Sequence, residues 1–116
     1  MGVVNVSNIR ARPWGDACAS HDLVDCADLI VVQERMPPRT SEVRHSHARA
    51  RQFFYVLAGA LTIERAGEVY TLEARDGLEI APGTIHVVSN TTSAVVEFLA
   101  IASPTTKGDR VTAASE

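Results

Sequence analysis

The chain has 116 residues, 46% of them hydrophobic and 22% charged, with a net charge of −3 at pH 7 and a pI near 5.8. That length supports one hydrophobic core and is too short for two, and the acidic balance argues against general binding to nucleic acid or anionic membrane. No stretch approaches the roughly 20 consecutive apolar residues of a spanning helix, so no membrane segment is expected and a small molecule is the expected partner.

Residues 1–27 read as an amino-terminal arm. They lack the basic start and continuous apolar run of a secretory signal, Arg10 and Arg12 coming too late to supply one, so a cytoplasmic location is expected. Cys18 and Cys26 fall in this loop-like region. Their spacing is not a standard zinc spacing with His21, and both read as structural or incidental thiols.

From residue 29 the pattern becomes one of short strands. Residues 29–36 are rich in β-branched and apolar side chains and end at Pro37-Pro38, which stop strand pairing. Strands are then predicted over 52–58, 61–65, 68–73, 78–81, 84–90 and 94–102, separated by turns at Ala58-Gly59-Ala60, Ala66-Gly67, Pro82-Gly83 and residues 90–93. No segment shows sustained helical periodicity with caps. Closely spaced short strands with such turns predict an all-β sandwich or barrel, its core spanning about 28–103 of a single domain over 1–116. The tail over 104–116 is small and polar and is expected to fray, with Asp109-Arg110 as a surface pair.

Strand parity divides the longest apolar run. Gln52, Phe54, Val56 and Ala58 share one face, and Phe53, Tyr55 and Leu57 share the other. Both faces are apolar, and residues 94–102 carry Glu97 as their single charge. Strands apolar on both sides are buried on both sides, so a homodimer is expected to cover the second face.

Three of the four histidines carry the chemistry. His45-Ser46-His47 places two imidazoles on one face of an extended strand; Gln52 follows closely, and His86 comes downstream after Pro82-Gly83-Thr84-Ile85. His45, His47, Gln52 and His86 form a candidate metal set, since imidazole nitrogen suits several divalent ions and an amide oxygen adds a neutral ligand.

These residues resemble the cupin family. Its first motif runs glycine, five residues, His-x-His, three or four residues, glutamate, six residues, glycine, and His45, His47 and Gly59 match it in register. Its second runs glycine, five residues, proline, one residue, glycine, two residues, histidine, three residues, asparagine, matched by Gly83, His86 and Asn90. The similarity spans residues 36–102. Four positions depart from it: Arg39 and Arg75 stand at two glycines, Ala81 at the proline, and Gln52 at the glutamate ligand. Gly77 and Pro82 are expected to supply the displaced turn chemistry. The resemblance implies a double-stranded β-helix of jelly-roll type holding one divalent ion (Zn, Ni, Mn or Fe), with Met36, Phe54 and Phe98 contacting a bound ligand. It further implies a small metal-dependent enzyme acting on an oxygenated small molecule. The neutral ligand set favours Lewis-acid chemistry, as in an isomerase, lyase or polyketide cyclase; a dioxygenase and a non-catalytic binding barrel are the alternatives.

Other polar groups are less committed. Arg39, Arg44, Arg49 and Arg51 bracket the His-x-His pair and are candidates to clamp an anionic substrate, although parity turns Arg44 away from His45. No acid–base pair is evident: Ser46 points away from its histidine neighbours, and Glu34, Glu64 and Glu97 have no visible partner. Tyr55 and Tyr70 could move protons if the fold turns them inward. Trp14, the single tryptophan, is a candidate barrel cap or subunit contact.

Overall fold

A computed structural model describes residues 2–113. Its strands are β1 (Arg12–Trp14), β2 (Cys18–Asp25), β3 (Ile30–Met36), β4 (Thr40–Ser41), β5 (His45–His47), β6 (Arg51–Ala58), β7 (Leu61–Arg65), β8 (Glu68–Leu72), β9 (Gly77–Ile80), β10 (His86–Asn90), β11 (Val96–Ser103) and β12 (Arg110–Thr112). They pair antiparallel into two sheets. One runs β1-β2-β3-β11-β6-β9, and the other runs β12-β5-β10-β7-β8 with β4 also on β10. This is the all-β, double-stranded β-helix of jelly-roll type.

The period-2 pattern that made these segments strands also builds the core. On β6, Gln52, Phe54 and Val56 are buried while Phe53 and Leu57 stay about 40% exposed. Phe54, Val56, Val96, Phe98 and Met36 from the first sheet pack with Leu61, Ile63, Leu72 and Val88 from the second in one hydrophobic cluster. Ala58 departs from its expected parity and is exposed, because the β6–β11 register shifts between Glu97 and Phe98 just opposite it.

Two arginines hold the backbone conformation of the glycines they replace. Arg39 has φ +57° and Arg75 φ +77°. Arg75 is the third residue of a turn closed by the Asp76 N–H donating to the Glu73 carbonyl at 2.9 Å, a position that favours glycine. Gly77 does not take over this role. It is there for space, since a Cβ would lie 2.3 Å from the Phe53 ring. Pro82 and Gly83 do make the expected turn: Gly83 has φ +79° and the Thr84 N–H closes onto the Ala81 carbonyl at 3.2 Å.

Both termini are more ordered than their composition suggests. Residues 18–25, read above as loop-like, form β2 along β3, with free Cys18 buried and free Cys26 exposed. Their alternation is hidden because the inward positions are Cys18 and Ser20, too small and polar to register as a hydrophobic stripe. Near the carboxyl end, β12 pairs with β5, setting Arg110 opposite His47 and Thr112 opposite His45. Asp109 is not a surface residue: it is 5% exposed and accepts the N–H groups of Arg49 (3.0 Å) and Ala50 (2.8 Å). Burial would raise its carboxyl, but these N–H donors outweigh that and hold it below the usual range. The fraying expected of residues 114–116 lies outside the described residues.

Candidate metal centre

The second sheet gathers the histidines. His45 and His47 project from the same face of β5, and His86, first residue of β10, pairs directly with His45. The Pro82-Gly83 turn sets this register, its Gly83 N–H donating to the His47 carbonyl at 2.7 Å. The ring centroids are 4.5 Å (His45–His86), 4.9 Å (His45–His47) and 6.1 Å (His47–His86) apart, and one nitrogen from each ring lies within 4.8 Å of the others.

Hydrogen bonding selects which nitrogens are free. A carbonyl oxygen only accepts, so His45 Nδ1–H donates to Val43 (2.7 Å) and His86 Nδ1–H to Thr84 (2.9 Å), leaving each Nε2 with its lone pair. His86 Nε2, His47 Nδ1 and Gln52 Oε1 are all buried with no hydrogen-bond partner. Buried polar atoms are rarely left so. Burial depresses all three imidazoles, His45 to about 4, with Arg110 lowering each further and neighbouring imidazoles lowering His45 and His47, so the set is neutral near pH 7. Neutral imidazoles with unshared pairs are what a divalent ion requires, and these residues fit one.

Between the sheets lies a cavity of about 500 Å³, lined in part by His45, His47, Gln52 and Phe54. Ile30, Val32, Ala100 and Ala102 give it an apolar wall. Met36 and Phe98, expected to contact a ligand, lie instead in the hydrophobic cluster, 0% and 1% exposed. The resemblance that named them carries no information on their position along the barrel axis.

None of the four bracketing arginines lines this cavity. Arg44 makes a bidentate pair with Glu64 (2.9 and 3.0 Å), Arg51 pairs with Glu79 (2.5 Å), Arg49 lies 3.8 Å from Asp109, and Arg39 is exposed. Arg44 and Arg51 each neighbour an inward ligand candidate and therefore face outward. The cavity arginines are Arg12, bound to Asp22 at 2.7 and 2.9 Å, and Arg110. Tyr55 and Tyr70 do not line it either; the Tyr70 hydroxyl is engaged with Arg65 and Glu68.

Two carboxyls in the cavity were not singled out by the sequence. Glu42 accepts the Val88 N–H at 3.0 Å and lies 3.7 Å from His45 Nδ1. Burial pushes its carboxyl up to about 8, so with His45 neutral the contact is not an ion pair at pH 7. It abuts the ring nitrogen opposite the free one, the place from which a carboxylate orients a metal-binding imidazole. Glu34 accepts a hydrogen bond from the Ser20 hydroxyl, and burial pushes it up to about 6. A signal for Glu34 existed: it falls in the inward register between Val32 and Met36, where a charge is out of place. Glu42 had no such signal.

The cupin domain family model matches residues 32–102. Among curated proteins none matches the sequence significantly. Solved structures do. The polyketide cyclase RemF from Streptomyces resistomycificus superposes with a TM-score of 0.84 at 17% identity over 100% of this chain and 87% of its own. A predicted oxalate decarboxylase from Thermotoga maritima gives 0.82 at 22% identity over 90% and 100%. A cupin-superfamily sugar phosphate isomerase from Silicibacter pomeroyi gives 0.81 at 22% over 90% and 76%. At these identities the likeness is one of fold.

Proposed function

The chain belongs to the cupin family, and on that premise we propose that it is a small metal-dependent enzyme that acts on an oxygenated small molecule by Lewis-acid chemistry, of isomerase, lyase or cyclase type. The observation carrying this reading is the convergence of three neutral imidazoles, His45 and His47 of them lining one cavity, with buried, unpartnered atoms on His47, His86 and Gln52. A divalent ion held by His45, His47, His86 and Gln52 would supply positive charge to a substrate oxygen, undiminished by any anionic ligand. The protein's own part is to bind and orient. Ile30, Val32, Phe54 and Ala100 exclude water from one side of a ligand, and Arg12 and Arg110 offer donors to its polar end. The structural neighbours support chemistry of this breadth, since they include a polyketide cyclase and a sugar phosphate isomerase.

The test is elemental mass spectrometry of the purified protein beside His45→Ala and His86→Ala variants. About one zinc, nickel, manganese or iron per chain, lost in both variants, is the expected result. A folded protein that takes up none of these ions defeats the metalloenzyme reading, and substrate-dependent oxygen consumption with iron would replace Lewis-acid chemistry by oxygenation.

A further inference from the structure

We propose that Glu34 is the proton-transferring group of this cavity, acting on a substrate that carries a carbonyl with an adjacent C–H bond. This rests on the metal-enzyme reading above and names its substrate class.

The placement comes first. Glu34 lies on β3 in the first sheet, between the buried Val32 and Met36, and its inward parity brings the carboxyl to the cavity wall. The three histidines come from β5 and β10 in the second sheet. A molecule between the sheets therefore meets imidazoles from one side and the Glu34 carboxyl from the other. Ser20, 4% exposed on the neighbouring β2, donates its hydroxyl to one carboxyl oxygen and orients the group.

The surroundings leave Glu34 as the group suited to the task. Glu42 is tied to the Val88 N–H and lies against His45. Arg12 and Asp22 are bound to each other, and buried Cys18 does not line the cavity. Ile30, Val32 and Ala100 are apolar. Around Glu34 the charged and titratable neighbours are Arg12, Asp22, Glu42 and Cys18. Burial raises its carboxyl to about 6, Ser20 and Arg12 acting against that rise and Asp22 with it, so both protonation states are populated near neutral pH.

The step balances without an oxidant. The Glu34 carboxylate takes the proton, the C–H bond breaks, and its electron pair passes into the adjacent carbonyl to give an enolate. The neutral Glu34 returns the proton to another atom of the same molecule. The net change is an isomerisation.

Pyruvate in D2O is the probe, with zinc-loaded protein and loss of the methyl signal followed by proton NMR. The expected result is exchange accelerated above the zinc-only background, slowed about 100-fold or more in Glu34→Gln, a loss of the size general-base removal gives. Glu34→Asp, which keeps a carboxyl, should recover part of it. Ser20→Ala removes the donor that lowers Glu34, so the rising limb of the pH profile should move to higher pH, a shift that a structural role would not produce. Unchanged exchange in a folded Glu34→Gln, or pyruvate bound by the wild type without exchange, overturns the role of Glu34. Failure to bind pyruvate overturns the substrate class. A chain that takes up no zinc overturns the metal-enzyme reading instead, so the failures are separable.

Discussion

Asn90→Ala should be among the most damaging single changes in this protein, although Asn90 touches neither cavity nor ligand. The residue ends β10 and is 1% exposed. Its Nδ2 donates to the carbonyls of Met36 (3.0 Å), Pro37 (3.1 Å) and Ala94 (2.8 Å), while Oδ1 accepts the Thr92 N–H (3.0 Å) and hydroxyl (2.8 Å). An amide nitrogen has two hydrogens for three carbonyls, so one full donation, one shared between two carbonyls, and the two bonds accepted by Oδ1 are lost. Each such bond nets about 1 kcal/mol, and carbonyls left dry add to the loss. Thr92 recovers some of it through its existing contact with the Ala94 carbonyl at 3.0 Å. The expected total is about 3 kcal/mol, which at roughly 4 °C per kcal/mol for a domain near 100 residues lowers Tm by about 12 °C. Asn90→Asp should be as severe at pH 7 despite equal size, because a carboxylate only accepts and would face three carbonyl oxygens. Urea denaturation with a constant m value reads both. A loss under 1 kcal/mol in either variant would refute the accounting and make the amide a passenger of the turn.

Arg75→Gly should stabilise the protein by about 1 kcal/mol, because φ +77° costs an L side chain about that much, and a lower urea midpoint would contradict it. For Glu34 the folded carboxyl titrates near 6 against 4.5 when free, so its protonated form favours the fold fully below pH 4.5 and that contribution is lost as pH rises through 6. Glu34→Gln stays neutral, so its stability relative to wild type should rise by about 2 kcal/mol at most between pH 4.5 and 7; parallel curves would show that burial does not govern this group. The outer face of the first sheet sets Phe53, Ile101 and Val31 in one row and Tyr55 and Leu99 in the next. Sedimentation should give about twice the 12.5 kDa chain mass, falling to the monomer in Phe53→Glu, and a monomeric wild type at micromolar concentration rejects the dimer.

What was readable in the sequence follows from what kind of signal each residue carries. Period-2 alternation from residue 29 onward showed the strands because Ile30, Val32, Phe54, Val56, Val96 and Phe98 are large enough to mark a face. The histidines were legible because His-x-His on a strand forces two rings to one side. Alternation failed at β2, whose inward residues are Cys18 and Ser20, and at β12, which is three residues long. Nor does alternation assign depth along the barrel, where Met36 and Phe98 lie in the hydrophobic cluster. Charges were misread for a related reason. The arginines near His45 in sequence were noticed, but adjacency on a strand means opposite faces, and Arg110, far along the chain, arrives by strand pairing with β5.

The residues that line the cavity divide by origin. Gln52, Phe54, His45 and His47 come from the barrel that the family model covers, residues 32–102. Arg12, Trp14, Ser20, Thr106 and Arg110 also line it, and all lie outside that span. The carboxyl-terminal contribution depends on one buried group: Asp109 holds the Arg49 and Ala50 N–H groups and thereby seats Arg110 beside the histidine strand. Thus the matched span supplies the candidate metal residues and most of the apolar wall, whereas the arginines that line the cavity come from the two ends of the chain. Resemblance within the barrel therefore carries the scaffold from one cupin to another, while a ligand proposed for this chain has to be argued from its own cavity residues, Glu34 and those at the two ends.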